Sequence, residues 1–362
     1  MNIKIATIIL FFIILIGLMT YVMWHVWTLV PLPRWGKATL VSIVCCCFLL
    51  AFVSLSPLMN PMPLGLASFV YNLGNKTLII LVYLLMAFVL LDLCRLIHLL
   101  PKTALHDSLP TTIILLLTLT AIFIYGSIHY HHKQRVEIAL DSHGKIEKPI
   151  KIVMASDLHI GYPNRRADLA KWIDLINDES PDLVLIAGDI IDLSMRPVIE
   201  ESMAEEFLRI KAPVFACLGN HEYMSGKSKV LQFYKDANIH LLVDSAAIVD
   251  GVEILGRDDR SNRHRKDLSD FDIDPSLYTI LLDHQPSHLE EAEANHIDFQ
   301  FSGHTHGGQV WPISWLVRAM YECYWGSHQR GDTHYYVSSG LGIWGAKYRI
   351  GTQSEYIVAT VR

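Results

Sequence analysis

The first 128 residues carry eight charged side chains, Lys4, Arg34, Lys37, Lys76, Asp92, Arg95, Lys102 and Asp107, and the apolar residues between them gather into four runs. These runs cover about 5–24, 38–58, 77–97 and 111–128, each close to the ~20 residues a helix needs to cross a bilayer. Backbone groups in hydrocarbon must be bonded within their own segment, so the runs are expected to be transmembrane helices. Pro31, Pro33, Pro57, Pro61, Pro63, Pro101 and Pro110 fall in the connections, where loss of an N–H is harmless. No small-residue cleavage pattern follows the first run and three more come after it, so it is expected to be a span and not a removed signal. Asp92, Arg95 and His98 are expected to mark a helix end leaving the hydrocarbon.

Residues 1–128 therefore form one region, and the polar stretch 129–148, with His129, His131 and His132, is expected to be a solvated linker to a second region, 149–362. A net charge of −6 lacks the basic surface that nucleic-acid binding draws on, and no nucleic-acid partner is expected. Cys45, Cys46, Cys47 and Cys94 lie in the apolar region, and Cys217 and Cys323 are far apart in sequence, so the cysteines do not identify a redox compartment.

From Pro149 onward short apolar runs alternate with amphipathic stretches. Strands are predicted at 151–155, 183–187, 214–218, 278–282 and 298–301, helices at 166–177, 198–210, 228–237 and 287–295, and a hairpin over 246–255 turning at Asp250-Gly251. This is an α/β layered pattern, in which ligands gather at the carboxyl ends of strands. Each strand is followed by polar residues of metal-ligand type: Asp157 and His159, then Asp189 and Asp192, then Asn220, His221 and Glu222, then Asp283 and His284, and finally His304 and His306. So many desolvated polar groups on one rim would be costly unless cations satisfied them.

The series Asp-x-His, Gly-Asp-x-x-Asp, Gly-Asn-His-Glu, a histidine after a strand, and Gly-His-Thr-His resembles the calcineurin-like metallophosphoesterase superfamily. The stretch Gly303-His304-Thr305-His306-Gly307-Gly308-Gln309 is similar to its small membrane-associated branch. Gly256-Arg257-Asp258-Asp259 and Ser339-Gly340-Leu341-Gly342 resemble further turns of that branch, whereas Ile343-Trp344-Gly345-Ala346 departs from it. The resemblance implies a four-layer α-β-β-α sandwich over 149–362, following the four-helix transmembrane region, and a centre of two divalent transition metals, Mn, Fe, Zn or Co. It assigns Asp157, His159 and His306 to one metal, Asn220, His284 and His304 to the other, and Asp189 to both. His221, oriented by Asp192, would protonate the leaving oxygen. Two cations sharing a carboxylate can activate water and clamp phosphoryl oxygens, so no side-chain nucleophile is needed. Glu222 is expected to be a structural hydrogen-bond acceptor.

The expected activity is thus metal-dependent hydrolysis of a phosphodiester, phosphomonoester or pyrophosphate by a multi-pass protein of the cell membrane. The side carrying the second region stays open, because Lys4, Lys76, Lys133 and Arg135 balance Arg34, Lys37, Arg95 and Lys102. Asp258, Asp259 and Trp315 are candidate substrate contacts. The segment 310–325 holds Trp311, Trp315, Leu316, Met320, Tyr324 and Trp325 directly after the metal-ligand loop, which points to the bilayer as a partner and to a lipid-linked phosphorylated substrate. A transporter is disfavoured by the scarcity of charge in the spans, and a non-catalytic scaffold by the complete ligand set.

Overall fold

The structure, a computed structural model, describes residues 3–362 and divides after Ile124 into two compact units. In the first unit, helices α1 (Ile3–Leu29), α2 (Arg34–Val53), α3 (Leu64–Leu96) and α4 (Leu109–His131) are, among the described residues, four helices long and apolar enough to cross a membrane. Val22, Val26, Leu29, Leu81 and Phe88 form a buried cluster between α1 and α3. Helix α3 begins well before the run expected at 77. Its polar residues Asn72, Asn75 and Thr77 bond to the carbonyls of Ser68, Tyr71 and Leu73 one turn back, at 2.7–2.8 Å, so they do not break it. Asp92 does more than mark a helix end: it accepts a 2.7 Å hydrogen bond from the Tyr21 hydroxyl and lies 3.0 Å from His25 Nε2, linking α3 to α1.

The second unit takes in the last turns of α4. The stretch expected as a linker contains strand β1 (Lys133–Leu140), in which Val136, Ile138 and Leu140 alternate with the exposed Arg135, Glu137 and Ala139 as a half-buried edge strand requires. Two six-stranded sheets follow. The first combines β1 with β2 (Ile150–Ala155), β3 (Leu183–Ala187), β4 (Val214–Cys217) and the short β5 (His240–Leu241), with the late strand β12 (Ser354–Val361) inserted between β1 and β2. The second is ordered β10 (Gly326–Arg330), β11 (Thr333–Val337), β9 (Phe299–Ser302), β8 (Tyr278–Leu282), β7 (Val252–Gly256) and β6 (Ser245–Val249), the last two joined by the expected turn at Asp250-Gly251.

Between the sheets lie Ile152, Met154, Leu185, Ile254, Ile280 and Phe301, all buried. The outer face of the first sheet is covered by α5 (Arg166–Asp178), α6 (Met195–Glu200), α7 (Ala204–Phe207) and α9 (Lys227–Asp236), through Leu169, Trp172, Val198, Phe207 and Phe233. Helix α10 (Leu289–Ala294) covers the second sheet through Leu289 and Ala292. The four-layer α-β-β-α sandwich is therefore present. The helix expected over 198–210 is split into α6 and α7, with Ser202 at φ 50° in the break. Helix α8 (Asn220–Met224), one turn after β4, and α11 (Ile313–Met320) complete the unit.

Candidate metal centre

The carboxyl ends of β2, β3, β4, β8 and β9 meet at one rim, and the loops leaving them are laced together. Asp157 N–H donates to the Gly188 carbonyl at 3.1 Å, His159 N–H to that of Asp189 at 3.0 Å, and Gly303 N–H to that of His284 at 2.9 Å. Asp157, His159, Asp189, His304 and His306 all take φ between 44° and 70°. Such left-handed backbone is uncommon for residues with a side chain, and its concentration here marks a site held by its surroundings. Gly219 has no side chain for a physical reason, since a Cβ there would lie 2.2 Å from Asp189 Oδ1.

Glu222 supplies much of that holding. Its buried carboxylate accepts hydrogen bonds from the N–H groups of Asp189 (3.0 Å), Ile191 (3.0 Å) and Gly219 (2.8 Å), tying the loop after β3 to the loop after β4. This is the structural acceptor role expected of it.

Asp157, His159 and His306 form one cluster and Asp189, His284 and His304 another, each with ligand atoms within 4.8 Å of one another. In the first, His159 Nε2 and His306 Nε2 face each other at 3.1 Å, and Asp157 Oδ1 lies 3.5 Å from His306 Nε2. In the second, His284 Nε2 stands 3.2 Å from Asp189 Oδ2, and His304 Nδ1 is 2.8 Å from Asn220 Oδ1. Asp189 Oδ2 also lies 3.7 Å from His159 Nε2, so this carboxylate reaches both clusters.

The donor set fits metal ions. His284 donates Nδ1–H to the Ala187 carbonyl at 2.8 Å, which directs Nε2, fully buried and without a hydrogen-bond partner, toward Asp189. Two imidazole nitrogens at hydrogen-bond distance beside two carboxylates likewise call for a cation. The electrostatics agree: burial opposes the charge on Asp189, yet the imidazoles of His284, His221 and His159 hold it well below the usual carboxylate range. Burial likewise opposes protonation of His159, but Asp157 and Asp192 raise it to about 10, while burial and His284 push His304 down to about 4. Protons on some imidazoles balance carboxylates here, and a bound cation would take over that role.

His221 forms a third group with His159 and Asp189, its ligand atom also within 4.8 Å of theirs. Its N–H donates to Asp189 Oδ1 at 2.9 Å, its Nδ1 is 3.2 Å from Asp192 Oδ1, and its Nε2 is 4.0 Å from Asp189 Oδ2. Asp192 also faces His159 Nδ1 at 3.5 Å, so it stands beside two imidazoles where the sequence pointed to one.

The substrate candidates fare differently. The buried Asp258 accepts from the Tyr223 hydroxyl at 2.6 Å and from Asn262 at 2.9 Å, and the buried Asp259 accepts from Ser261 N–H and Gln285 at 2.8 Å. Asp258 thus ties its loop to α8, and Asp259 ties it to the loop after β8. Trp315 is 66 % exposed on α11, a helix with no buried residue. Farther along, Cys323 is buried and Trp325 donates to Glu355 at 3.0 Å, so the aromatic segment splits into an exposed helix and an anchored end. Two residues behind the site carried no signal in the sequence. Asn164 and Arg349 are fully buried, and they bond mainly to backbone carbonyls, which no side-chain motif announces.

A family model for the calcineurin-like phosphoesterases matches residues 150–308. An uncharacterized metallophosphoesterase of Campylobacter jejuni is 32% identical over 259 residues, covering 68% of this chain and 68% of that protein. One from Helicobacter pylori is 33% identical over 220 residues, and the chain spans 59% of its length. A zebrafish (Danio rerio) transmembrane protein with a metallophosphoesterase domain is 27% identical over 272 residues, covering 68% of this chain and 62% of that protein. With its strand-end histidines and aspartates gathered on one rim, the chain belongs to the calcineurin-like metallophosphoesterases, a family of metal-dependent phosphoric ester hydrolases.

Proposed function

We propose that this chain is a multi-pass protein of the cell membrane whose second unit hydrolyses a phosphoester or pyrophosphate bond of a lipid-linked substrate at the bilayer surface. The helices α1 to α4 serve as the anchor. Asp157, His159 and His306 would hold one divalent transition metal and Asn220, His284 and His304 a second, with Asp189 available to both, and such ions would supply Lewis acidity and an activated water. The mixed oxygen and imidazole donors suit Mn, Fe, Zn or Co.

The chain's own residues do the rest. His221 carries a proton on Nε2 to the leaving oxygen, and Asp192 keeps its Nδ1 protonated and the ring aimed. Glu222 holds the Asp189 and Asn220 loops at fixed spacing, which matters because displacements of about 1 Å at such sites cost orders of magnitude in rate. Asp258 and Asp259 shape the adjoining loop and stay candidate substrate contacts.

The observation that favours a lipid is α11. Trp311, Ile313, Trp315, Leu316 and Met320 are all exposed, three residues or more beyond His306–Gly308, and Gln309 bonds to the Trp344 and Ala346 carbonyls at 3.4 and 3.1 Å beside a further exposed tryptophan. Tryptophans with apolar neighbours favour the membrane interface. The test compares hydrolysis of a diacyl phospholipid-type substrate with its water-soluble head-group analogue, in wild type and in Trp315→Ala/Leu316→Ala. Preference for the lipid, lost in the double variant, is expected; equal rates on both substrates, untouched by the substitutions, refute the lipid reading.

A further inference from the structure

The end of α4 reaches the site through two buried clamps. Tyr130, 1 % exposed, donates its hydroxyl to Asn164 Oδ1 at 2.5 Å. Asn164 in turn gives its amide to the carbonyls of Leu158 (2.9 Å), His159 (3.0 Å) and Ile343 (2.9 Å). One turn earlier, the Gly126 carbonyl accepts the Arg349 N–H at 2.9 Å. The Arg349 guanidinium donates to the carbonyls of His306 (2.8 Å), Ser339 (2.5 Å) and Gly342 (2.9 Å), and among the described residues no carboxylate hydrogen-bonds to it. Gly342 N–H then donates to the Asp157 carbonyl at 3.1 Å.

Each residue of the first cluster is thus gripped by its backbone: His159 through Asn164, His306 through Arg349, and Asp157 through Gly342. In the second cluster His284 is held by Ala187 and the Asn220 loop by Glu222, and the His304 N–H leans on the first cluster, donating to the Asp157 carboxylate at 3.1 Å. Gly126 is required by space as well, because a Cβ there would stand 2.7 Å from Ile350 Cγ1. Tyr130 is fixed in place by Lys133, whose Nζ donates to its carbonyl at 2.7 Å and lies 3.8 Å from its ring centre.

We propose that Tyr130 and Gly126, at the end of the fourth apolar helix, are positioning residues for the Asp157–His159–His306 metal site and not for its neighbour. This rests on the two-metal reading above. The catalytic unit accordingly begins inside α4, and a domain cut at residue 149 lacks part of its metal site's support.

The test uses the full chain in detergent, stripped with chelator and titrated with Mn²⁺, with bound ions counted and electron paramagnetic resonance recorded. Wild type should bind two ions and show a spin-coupled pair. Tyr130→Phe, which removes only the hydroxyl, and Gly126→Ala should bind one ion as wild type does and the other about 10–100-fold more weakly, the usual effect of removing an outer support of a metal ligand. At intermediate Mn²⁺ the variants should show an isolated ion. Two ions at wild-type affinity in both variants would overturn the proposal, and so would equal weakening of both sites, which would indicate a general loss of fold. If wild type itself binds fewer than two ions, the two-metal reading falls, and this inference with it.

Discussion

Replacing Glu222 separates the framework of the site from its chemistry. The carboxylate has 1 % exposure and satisfies three buried N–H groups, those of Asp189, Ile191 and Gly219. Glu222→Ala leaves all three without an acceptor, at about 1–3 kcal/mol each, or about 3–9 kcal/mol together. Against a total stability of about 5–15 kcal/mol, that removes most or all of the margin. In Glu222→Gln the amide oxygen can take over the paired bonds from Asp189 and Gly219, while the NH₂ group faces the Ile191 N–H. One bond is then lost, at about 1–3 kcal/mol. A unit of this size shifts by about 2–4 °C per kcal/mol, so melting should fall by about 2–12 °C. The assay is thermal unfolding of the metal-free full chain in detergent, paired with limited proteolysis. Glu222→Gln should fold and melt lower, and Glu222→Ala should be proteolysed or fail to accumulate. A Glu222→Ala protein melting within a degree of wild type would show that the three N–H groups find other partners and would refute the reasoning.

Further outcomes concern chemistry and topology. His221→Ala should retain bound metal and lose turnover by about 10²–10⁴-fold, least on substrates with very good leaving groups, and undiminished turnover would remove its assigned role. Asp189→Ala should lose metal from both clusters, measured by elemental analysis of the purified chain; full occupancy of either would contradict a shared ligand. Even-numbered spans put both termini on one side, so tags at Met1 and Arg362 should show equal protease accessibility in intact cells. Chelator should abolish hydrolysis, and Mn²⁺, Fe²⁺, Zn²⁺ or Co²⁺ should restore it to different degrees, with activity in the stripped protein arguing against metal dependence.

The site was legible because its chemistry sits where strands end. Asp157, Asp189, Asn220, His284 and His304 each follow an apolar run that folds as a buried strand, so periodicity and residue type converge on one rim. Other elements lacked such agreement. Strand β1 carries Arg135 and Glu137 because an edge strand keeps one face in water, and that pattern also suits a linker. Strand β10, Gly326–Arg330, is polar throughout its short length and gives no hydrophobic period. Helix α3 starts at Leu64, ahead of the apolar run at 77: Asn72 and Asn75 lower the hydropathy there while bonding to carbonyls one turn back. Asn164 and Arg349 carry no sequence signal for a different reason: most of their partners are carbonyl oxygens, which every residue owns and none advertises.

The place of β12 bears on how the protein is made. Lys133 pairs with Ser354 and Leu140 with Val361, so β1 has as its neighbour a strand more than two hundred residues later, and β12 alone joins it to β2. During synthesis the apolar helices and β1 emerge early, and β1 must wait, both edges open, while the rest of both sheets assembles. An open strand edge invites pairing with other chains, and such long-range closure is slow. Residues 354–361 therefore act as the closing stitch of biosynthesis, and Ser354 at their start already touches Arg349 behind the site. Damage to this segment would be felt first as a shortage of finished protein, before any change in the rate at which finished molecules turn over.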